Sequence, residues 1–234
     1  MSRGITAVIP TRAGSERVKN KNTKRFSSSS LLQVKIDQMK NLLDEGLIDD
    51  VIVNTNCRYS ESLARKNNIR VVIREDYYAS PACSSKEYWC NVGNCIDTDI
   101  FMLAQVTSPL IKHSTYKKCI GFFDKDSIMT ATKVKQFLWK ENKPINYEIG
   151  KQPRSQDLPD DVFRLNFAIG IISLQELNEY QDLITPKTKF IFLDEVEGFD
   201  IDTELDFKIA QSLQSGSNRK SGCGKKSCCA EKKR

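Results

Sequence analysis

Residues 50–54 read Asp50-Val51-Ile52-Val53-Asn54. Three successive β-branched apolar residues leave neither face of a strand polar, which is the pattern of a parallel strand buried on both sides. Before this run, Leu32, Ile36, Met39 and Leu43 recur at helical spacing and predict an amphipathic helix packed on a sheet. After it, residues 60–67 predict a short helix and 70–73 another strand. The same alternation continues outward, with strands predicted over 5–10, 100–105, 127–132, 167–172 and 189–193. Helices are predicted over 84–95, 114–123, 174–180 and 203–213. Such a succession predicts an α/β fold, a doubly wound and mostly parallel sheet. The rhythm breaks in the polar stretch holding Pro144, Pro153 and Pro159, where a hairpin or long loop is expected as an excursion over about 134–166.

The chain of 234 residues suits one domain, placed at 1–214, followed by a tail at 215–234. The net charge of +6 suggests nucleic acid until its distribution is read. Seven of the 36 basic residues and one of the 30 acidic ones fall in the tail, so the preceding chain holds 29 of each. A neutral body argues against nucleic acid as a partner. The tail has no apolar periodicity and is expected to be disordered. No apolar run approaches the roughly 18 residues of a membrane span, and no signal peptide is visible. A soluble, cytoplasmic protein without a membrane partner is expected. The eight cysteines are then expected as free thiols. The tail trio Cys223, Cys228 and Cys229 has no nearby His and makes an incomplete metal site.

In open α/β sheets ligands bind beyond the carboxyl ends of the strands, and the chemically rich segments lie there. The loop after the first strand reads Pro10-Thr11-Arg12-Ala13-Gly14-Ser15-Glu16-Arg17-Val18-Lys19-Asn20-Lys21-Asn22. A flexible Gly-Ser pair among four cations could cradle a triphosphate, or could be a solvated basic loop. Near the other end stands Asp200-Ile201-Asp202-Thr203-Glu204-Leu205-Asp206. Extended backbone turns Asp200 and Asp202 to one side, a pair of hard carboxylates suited to Mg²⁺. A capping box of Thr203 and Asp206 accounts for part of this segment but leaves Asp200 unexplained.

The first loop resembles the Pro-Ala-Arg-x-Gly-Ser-Lys-x-Ile-x-x-Lys-Asn opening of the acylneuraminate cytidylyltransferases, the CMP-sialic acid synthetases. Four further segments are similar to that family in consistent order: Arg74-Glu75-Asp76-Tyr77-Tyr78-Ala79-Ser80-Pro81-Ala82-Cys83-Ser84-Ser85, Leu103-Ala104-Gln105-Val106-Thr107-Ser108-Pro109-Leu110, Gln152-Pro153-Arg154-Ser155-Gln156 with Arg164-Leu165-Asn166-Phe167-Ala168-Ile169, and Asp200-Ile201-Asp202. The resemblance implies a Rossmann-like nucleotidyltransferase fold whose excursion helps to form a homodimer. It assigns Arg12 and Lys21 to the CTP phosphates, with Arg17 and Asn22 beside them, and Arg74, Cys83 and Ser85 to the base and ribose. It assigns Gln105, Arg154, Gln156, Arg164 and Asn166 to the acidic sugar, and Asp200 and Asp202 to Mg²⁺. Arg12, Lys21, Asp200 and Asp202 form the implied catalytic set. Departures are Glu16, Asn56, Pro81 and Phe167, the last standing where the family has Gly.

The implied reaction is transfer of CMP from CTP to a sialic-acid-like 2-keto sugar, with pyrophosphate released. Legionaminate, pseudaminate and KDO are alternative acceptors, and a non-catalytic nucleotide-binding module is the alternative of another class. His113, the only histidine, is expected to be a surface or capping residue.

Overall fold

The computed structural model describes residues 4–14 and 17–220, with side chains described as far as residue 215. In chain order the elements begin with β1 (Ile5–Pro10), β2 (Arg25–Phe26), β3 (Ser29–Ser30), α1 (Leu31–Asp44), β4 (Asp50–Thr55), α2 (Arg58–Lys66) and β5 (Arg70–Ile73). They continue with α3 (Asp76–Ala79), α4 (Ser85–Gly93), β6 (Ile100–Ala104), α5 (His113–Phe122) and β7 (Ile128–Lys133). The last group is β8 (Trp139–Lys140), β9 (Lys143–Pro144), β10 (Phe163–Ser173), α6 (Leu174–Tyr180), β11 (Lys189–Phe192) and α7 (Glu204–Lys220).

The main sheet has the order β11-β7-β10-β6-β1-β4-β5. β1 pairs in parallel with β4 and β6, β4 with β5, and β7 with β11. Only β10 runs antiparallel, between β6 and β7. The sheet is therefore mostly parallel, as the apolar runs predict. Within β4, Val51 and Val53 belong to one core cluster and Ile52 to the other. Successive strand side chains point to opposite faces, so an unbroken apolar run feeds two cores at once. α1 covers the first face through Leu32, Ile36 and Met39, and its N-cap Ser30 accepts a hydrogen bond from the Gln33 amide at 3.2 Å. Val92 of α4 and Leu177 of α6 cover the second.

Three features differ from the sequence reading. The strand expected over 167–172 is an eleven-residue strand that starts at Phe163, and its register against β7 shifts between Leu165 and Gly170. The excursion is a β8–β9 hairpin followed by a 3₁₀ turn at Ser155–Asp157, and residues 163–166 belong to the sheet. α7 continues to Lys220, past the expected boundary at 214. The tail cysteines, and Ser15 and Glu16 of the first loop, lie outside the described residues. No helix among the described residues is long and apolar enough to cross a membrane.

One residue on the buried face of α1 is unexpected. Lys35 is completely buried, and its Nζ donates to the Ser108 carbonyl at 2.9 Å and to the Tyr116 hydroxyl at 2.6 Å. Burial lowers its pKa from 10.5 to about 7.

Candidate active site

Two cavities open at the carboxyl ends of β1 and β6. The larger, about 510 Å³, is lined from β1 and the first loop by Pro10, Thr11, Arg12, Arg17, Lys21 and Asn22. Its other walls are Arg74, Tyr88, Trp89, Gln105, Thr107 and Asp202. The second, about 450 Å³, is lined by Arg164, Asn166, Phe167, Phe199, Asp200 and Asp206, among others. Trp89, Gln105 and Asp202 line both, so the two spaces meet there.

The basic first loop and the acidic segment before α7 converge at this junction. Lys21 Nζ donates to the Ile201 carbonyl at 2.6 Å and lies 3.9 Å from Asp202 Oδ1. Arg17 Nη2 lies 3.1 Å from the same carboxylate oxygen. Burial lowers the Lys21 pKa, and the nearby Asp200 and Asp202 carboxylates oppose that shift. Asp200 shows the converse: burial raises its pKa, the Thr107 hydroxyl and Lys21 work against the rise, and Asp202 adds to it. Asp200 Oδ1 is buried, and its neighbouring donor among the described residues is the Thr107 hydroxyl, which falls short of full hydrogen-bond geometry. The capping box is present as expected, because Thr203 Oγ1 accepts from the Asp206 amide at 3.2 Å and Asp206 Oδ2 accepts from the Thr203 amide at 2.7 Å. That box leaves Asp200 and Asp202 free of helix capping. Ile201, between them, is fully buried in the core and anchors the extended segment.

Arg12 lines the larger cavity, and its Nη1 donates to the Ala79 carbonyl at 3.2 Å. The backbone beside it is pinned by Asn56, whose Oδ1 accepts from the Ala13 amide at 2.9 Å. Arg74 is buried and largely committed to the protein. Its Nε donates to Asn54 Oδ1 at 2.7 Å, and its Nη2 donates to the Tyr88 hydroxyl at 2.7 Å and the Asn54 carbonyl at 3.1 Å. Its guanidinium also stacks 4.4 Å above the Tyr88 ring, and burial lowers its pKa. Arg74 thus builds the wall of the cavity as well as lining it.

Cys83 and Ser85 are not among the residues lining either cavity. Ser84 caps α4 in a reciprocal box with Glu87, and Ser85 is the first residue of that helix. Arg154 and Gln156 are exposed on the 3₁₀ turn, with Arg154 Nε 2.7 Å from Asp157 Oδ2, and this single chain does not bring them into either cavity. Arg164 does line the second cavity, its Nη2 3.7 Å from the exposed Glu195.

The Asn166 amide holds the strand irregularity. Its Oδ1 accepts from Thr130 Oγ1 at 2.6 Å and from the Ala168 amide at 3.2 Å, while Nδ2 donates to Thr132 Oγ1 at 3.1 Å. Gly198 packs against this latch; a Cβ there would press into Thr132 Oγ1 and lie 2.9 Å from Asn166 Nδ2. Gln105 is tied to the same strand by its amide, which donates to the Ala168 carbonyl at 3.2 Å. His113 is outside both cavities, its Nε2 2.9 Å from Glu45 Oε1 at the surface.

The cytidylyltransferase family model matches residues 6–147, which include the first loop, Arg74, Trp89 and Gln105. The chain belongs to the cytidylyltransferase family. This cytidylyltransferase is 25% identical to the post-translational flagellin modification protein B of Campylobacter coli, over 89% of the chain and 94% of that protein. It is 25% identical to the N-acylneuraminate cytidylyltransferase of Escherichia coli O18:K1:H7 over 92% of the chain, and spans about half, 53%, of that longer protein. It is 23% identical to the CMP-N,N'-diacetyllegionaminic acid synthase of Legionella pneumophila, over 89% and 95% of the two chains. Among solved structures, the CMP:2-keto-3-deoxy-manno-octonic acid synthetase complexed with CTP superposes with a TM-score of 0.65 at 12% identity, covering 92% of this chain and 99% of that one. That likeness shows the fold.

Tyr88, Trp89, Gly198 and Phe199 belong to the site or its frame and escape a reading by motif. Helical spacing alone signals nothing at Trp89; only the packing of α4 turns it toward the junction.

Proposed function

We propose that this cytidylyltransferase transfers CMP from CTP to the anomeric hydroxyl of a 2-keto acidic sugar of the sialic or legionaminic acid type. The observation that carries the reading is the junction itself. A cation-lined cavity and a second cavity holding Arg164 meet at Asp202, 3.1 Å from Arg17. The first suits a triphosphate, whose oxygens Arg12, Arg17 and Lys21 would neutralise; Arg can grip them in a fork while Lys acts as a point charge. The second suits an acidic sugar, with Arg164 as the cation for its carboxylate. The acceptor oxygen bonds to the α-phosphorus, the bond from that phosphorus to the bridging oxygen breaks, and pyrophosphate departs as the hydroxyl proton is released to water. Positioning and charge neutralisation supply most of the rate.

Mg²⁺ fits the acidic pair, because Asp200 offers a buried carboxylate oxygen without a full hydrogen bond and Asp202 lies half-exposed at the junction. Two carboxylates would leave coordination positions for water and phosphate oxygens, as Mg²⁺ takes. When bound, the ion would neutralise charge developing on the phosphate oxygens.

A homodimer formed through the excursion is part of the proposal. Ile145 and Ile149 there are 55% and 71% exposed, and Trp139 of β8 is 55% exposed, apolar side chains that such a contact would cover. Such a contact could also bring Arg154 and Gln156 to a neighbouring site. Action in the cytoplasm is part of the same proposal.

The test is pyrophosphate release from CTP and Mg²⁺ over a panel of N-acetylneuraminate, N,N'-diacetyllegionaminate, pseudaminate and KDO. Turnover of a nine-carbon acid is expected. CTP binding without turnover of any acid would leave a nucleotide-binding module in place of the enzyme.

A further inference from the structure

Seven non-glycine residues among those described have a positive φ: Asn20, Ser27, Asn68, Glu141, Asn142, Phe167 and Gln181. Six are polar and sit in turns or loops or at helix ends, where that conformation closes the chain reversal. Phe167, at φ 51°, is the exception: it is the apolar member of the set and it lies inside strand β10. Left-handed backbone is costly for a bulky L-residue and nearly free for glycine, so something must favour the phenyl ring at this point.

Core packing does not account for it. Phe167 is 36% exposed and makes no ring–ring contact with the described aromatic residues, whereas Phe163 on the same strand stacks with Phe190 and Phe192. The strand register shifts across it, and the flanking Asn166 is locked by Thr130, Thr132 and the Ala168 amide. The bulge is therefore over-determined by its neighbours, and its effect is to place the Phe167 ring in the lining of the second cavity beside Arg164 and Phe199. Strain held in place by surrounding structure is a mark of function.

We infer that Phe167 is a specificity-determining residue for the acceptor, its ring packing against an apolar face of the acidic sugar while Arg164 holds the carboxylate. The inference rests on the acceptor reading of this cavity proposed above. An aromatic ring beside a cation discriminates by the apolar groups a sugar carries. It therefore favours an acid bearing an acylamino methyl group over one that bears only hydroxyls.

The experiment compares wild type, Phe167→Gly and Phe167→Tyr for pyrophosphate release with N-acetylneuraminate and with KDO, each with CTP and Mg²⁺, alongside thermal melting. Phe167→Gly is expected to raise the KM for N-acetylneuraminate about tenfold and to lower the preference for it over KDO by a similar factor. The KM for CTP should stay within about twofold. The melting temperature should not fall, since glycine relaxes the backbone. Phe167→Tyr keeps the ring and should retain wild-type preference. A lower melting temperature with unchanged acceptor kinetics would make the ring a packing element and overturn the inference. A rise confined to the KM for CTP would move the ring to the nucleotide and overturn it equally. If wild type turns over neither these acids nor the rest of the panel, the acceptor reading itself fails and this inference falls with it, before any variant is compared.

Discussion

Lys21 donates to the carbonyl of Ile201 across 2.6 Å and 180 positions of sequence, and so joins the basic loop after β1 to the acidic segment before α7. The lysine is mostly buried, with its side chain 15% exposed, and faces Asp202 at 3.9 Å. A single side chain thus both closes the site and presents a charge to it.

Replacing Lys21 by Met removes the charge and keeps much of the volume. The expected result is a fall of about 10²–10³ in kcat/KM for CTP, the size seen when a preorganised electrostatic donor is lost. Circular dichroism should report a native fold. Steady-state pyrophosphate release checks the first point, and unchanged kinetics would remove Lys21 from the phosphate site.

The acidic couple predicts a metal requirement. Chelation with EDTA should abolish turnover and excess Mg²⁺ should restore it. Asp202→Asn should lower kcat by about 10²–10³ and raise the Mg²⁺ concentration needed for half-maximal rate. Asp200→Asn should do likewise without the release of Arg17 that loss of the Asp202 charge brings. Full activity in EDTA would exclude the metal assignment.

Gly198 has no room for a side chain. Gly198→Ala should destabilise the protein by about 1–3 kcal/mol, because Thr132 and Asn166 must move and neither is the free end of a flexible chain. Urea unfolding measures the loss. As Asn166 holds the bulge at Phe167, the same variant should weaken acceptor binding more than CTP binding. A variant as stable as wild type would show that the latch yields easily.

Lys35 makes stability depend on pH. Its folded-state pKa of about 7 lies below its usual 10.5, so between those values the unfolded chain carries a proton that the folded protein lacks. Stability therefore rises with pH from about 7 upward and stands on its low plateau below that. Burial also pushes the Cys119 thiol up to about 12 from 9.0, and raises the Tyr116 phenol, which makes stability fall at more alkaline pH. The clean window is about pH 7 to 9. Urea midpoints should climb across it for wild type, and the climb should flatten in Lys35→Met. Parallel slopes would mean that Lys35 stays charged in the fold.

Much of this arrangement is legible from residues alone. Val51-Ile52-Val53 announces a strand between two cores, and in Asp200-Ile201-Asp202 alternation sends Ile201 inward and leaves both carboxylates lining the cavities. Other parts are not. An apolar run such as Ile169-Gly170-Ile171-Ile172 reads the same in a parallel or an antiparallel strand, so the direction of β10 is decided by its partners β6 and β7. Lys35 looks like a polar residue on a helix and is instead buried beneath the loop at Ser108. Cys83 and Ser85 stand in a segment similar to the family's, and neither is among the residues lining the two cavities. Arg154 and Gln156 fall on a turn whose position strand periodicity does not govern. Phe167 carried a signal in its substitution for glycine, which takes its meaning from the left-handed backbone found there.

The reversed strand β10 has a consequence for how such a chain can change. It pairs with β6 from Ile169 to Ser173 and with β7 on both sides of the register shift, so Arg164 and Leu165 are fixed by β7 while Gln105 is tied to Ala168 just past the bulge. Slipping the register by one place would send every side chain to the wrong face. Diversification of the substrate pocket on this scaffold is thereby channelled into exchanges of individual side chains, while lengthening or shortening of backbone is confined to the hairpin that precedes it.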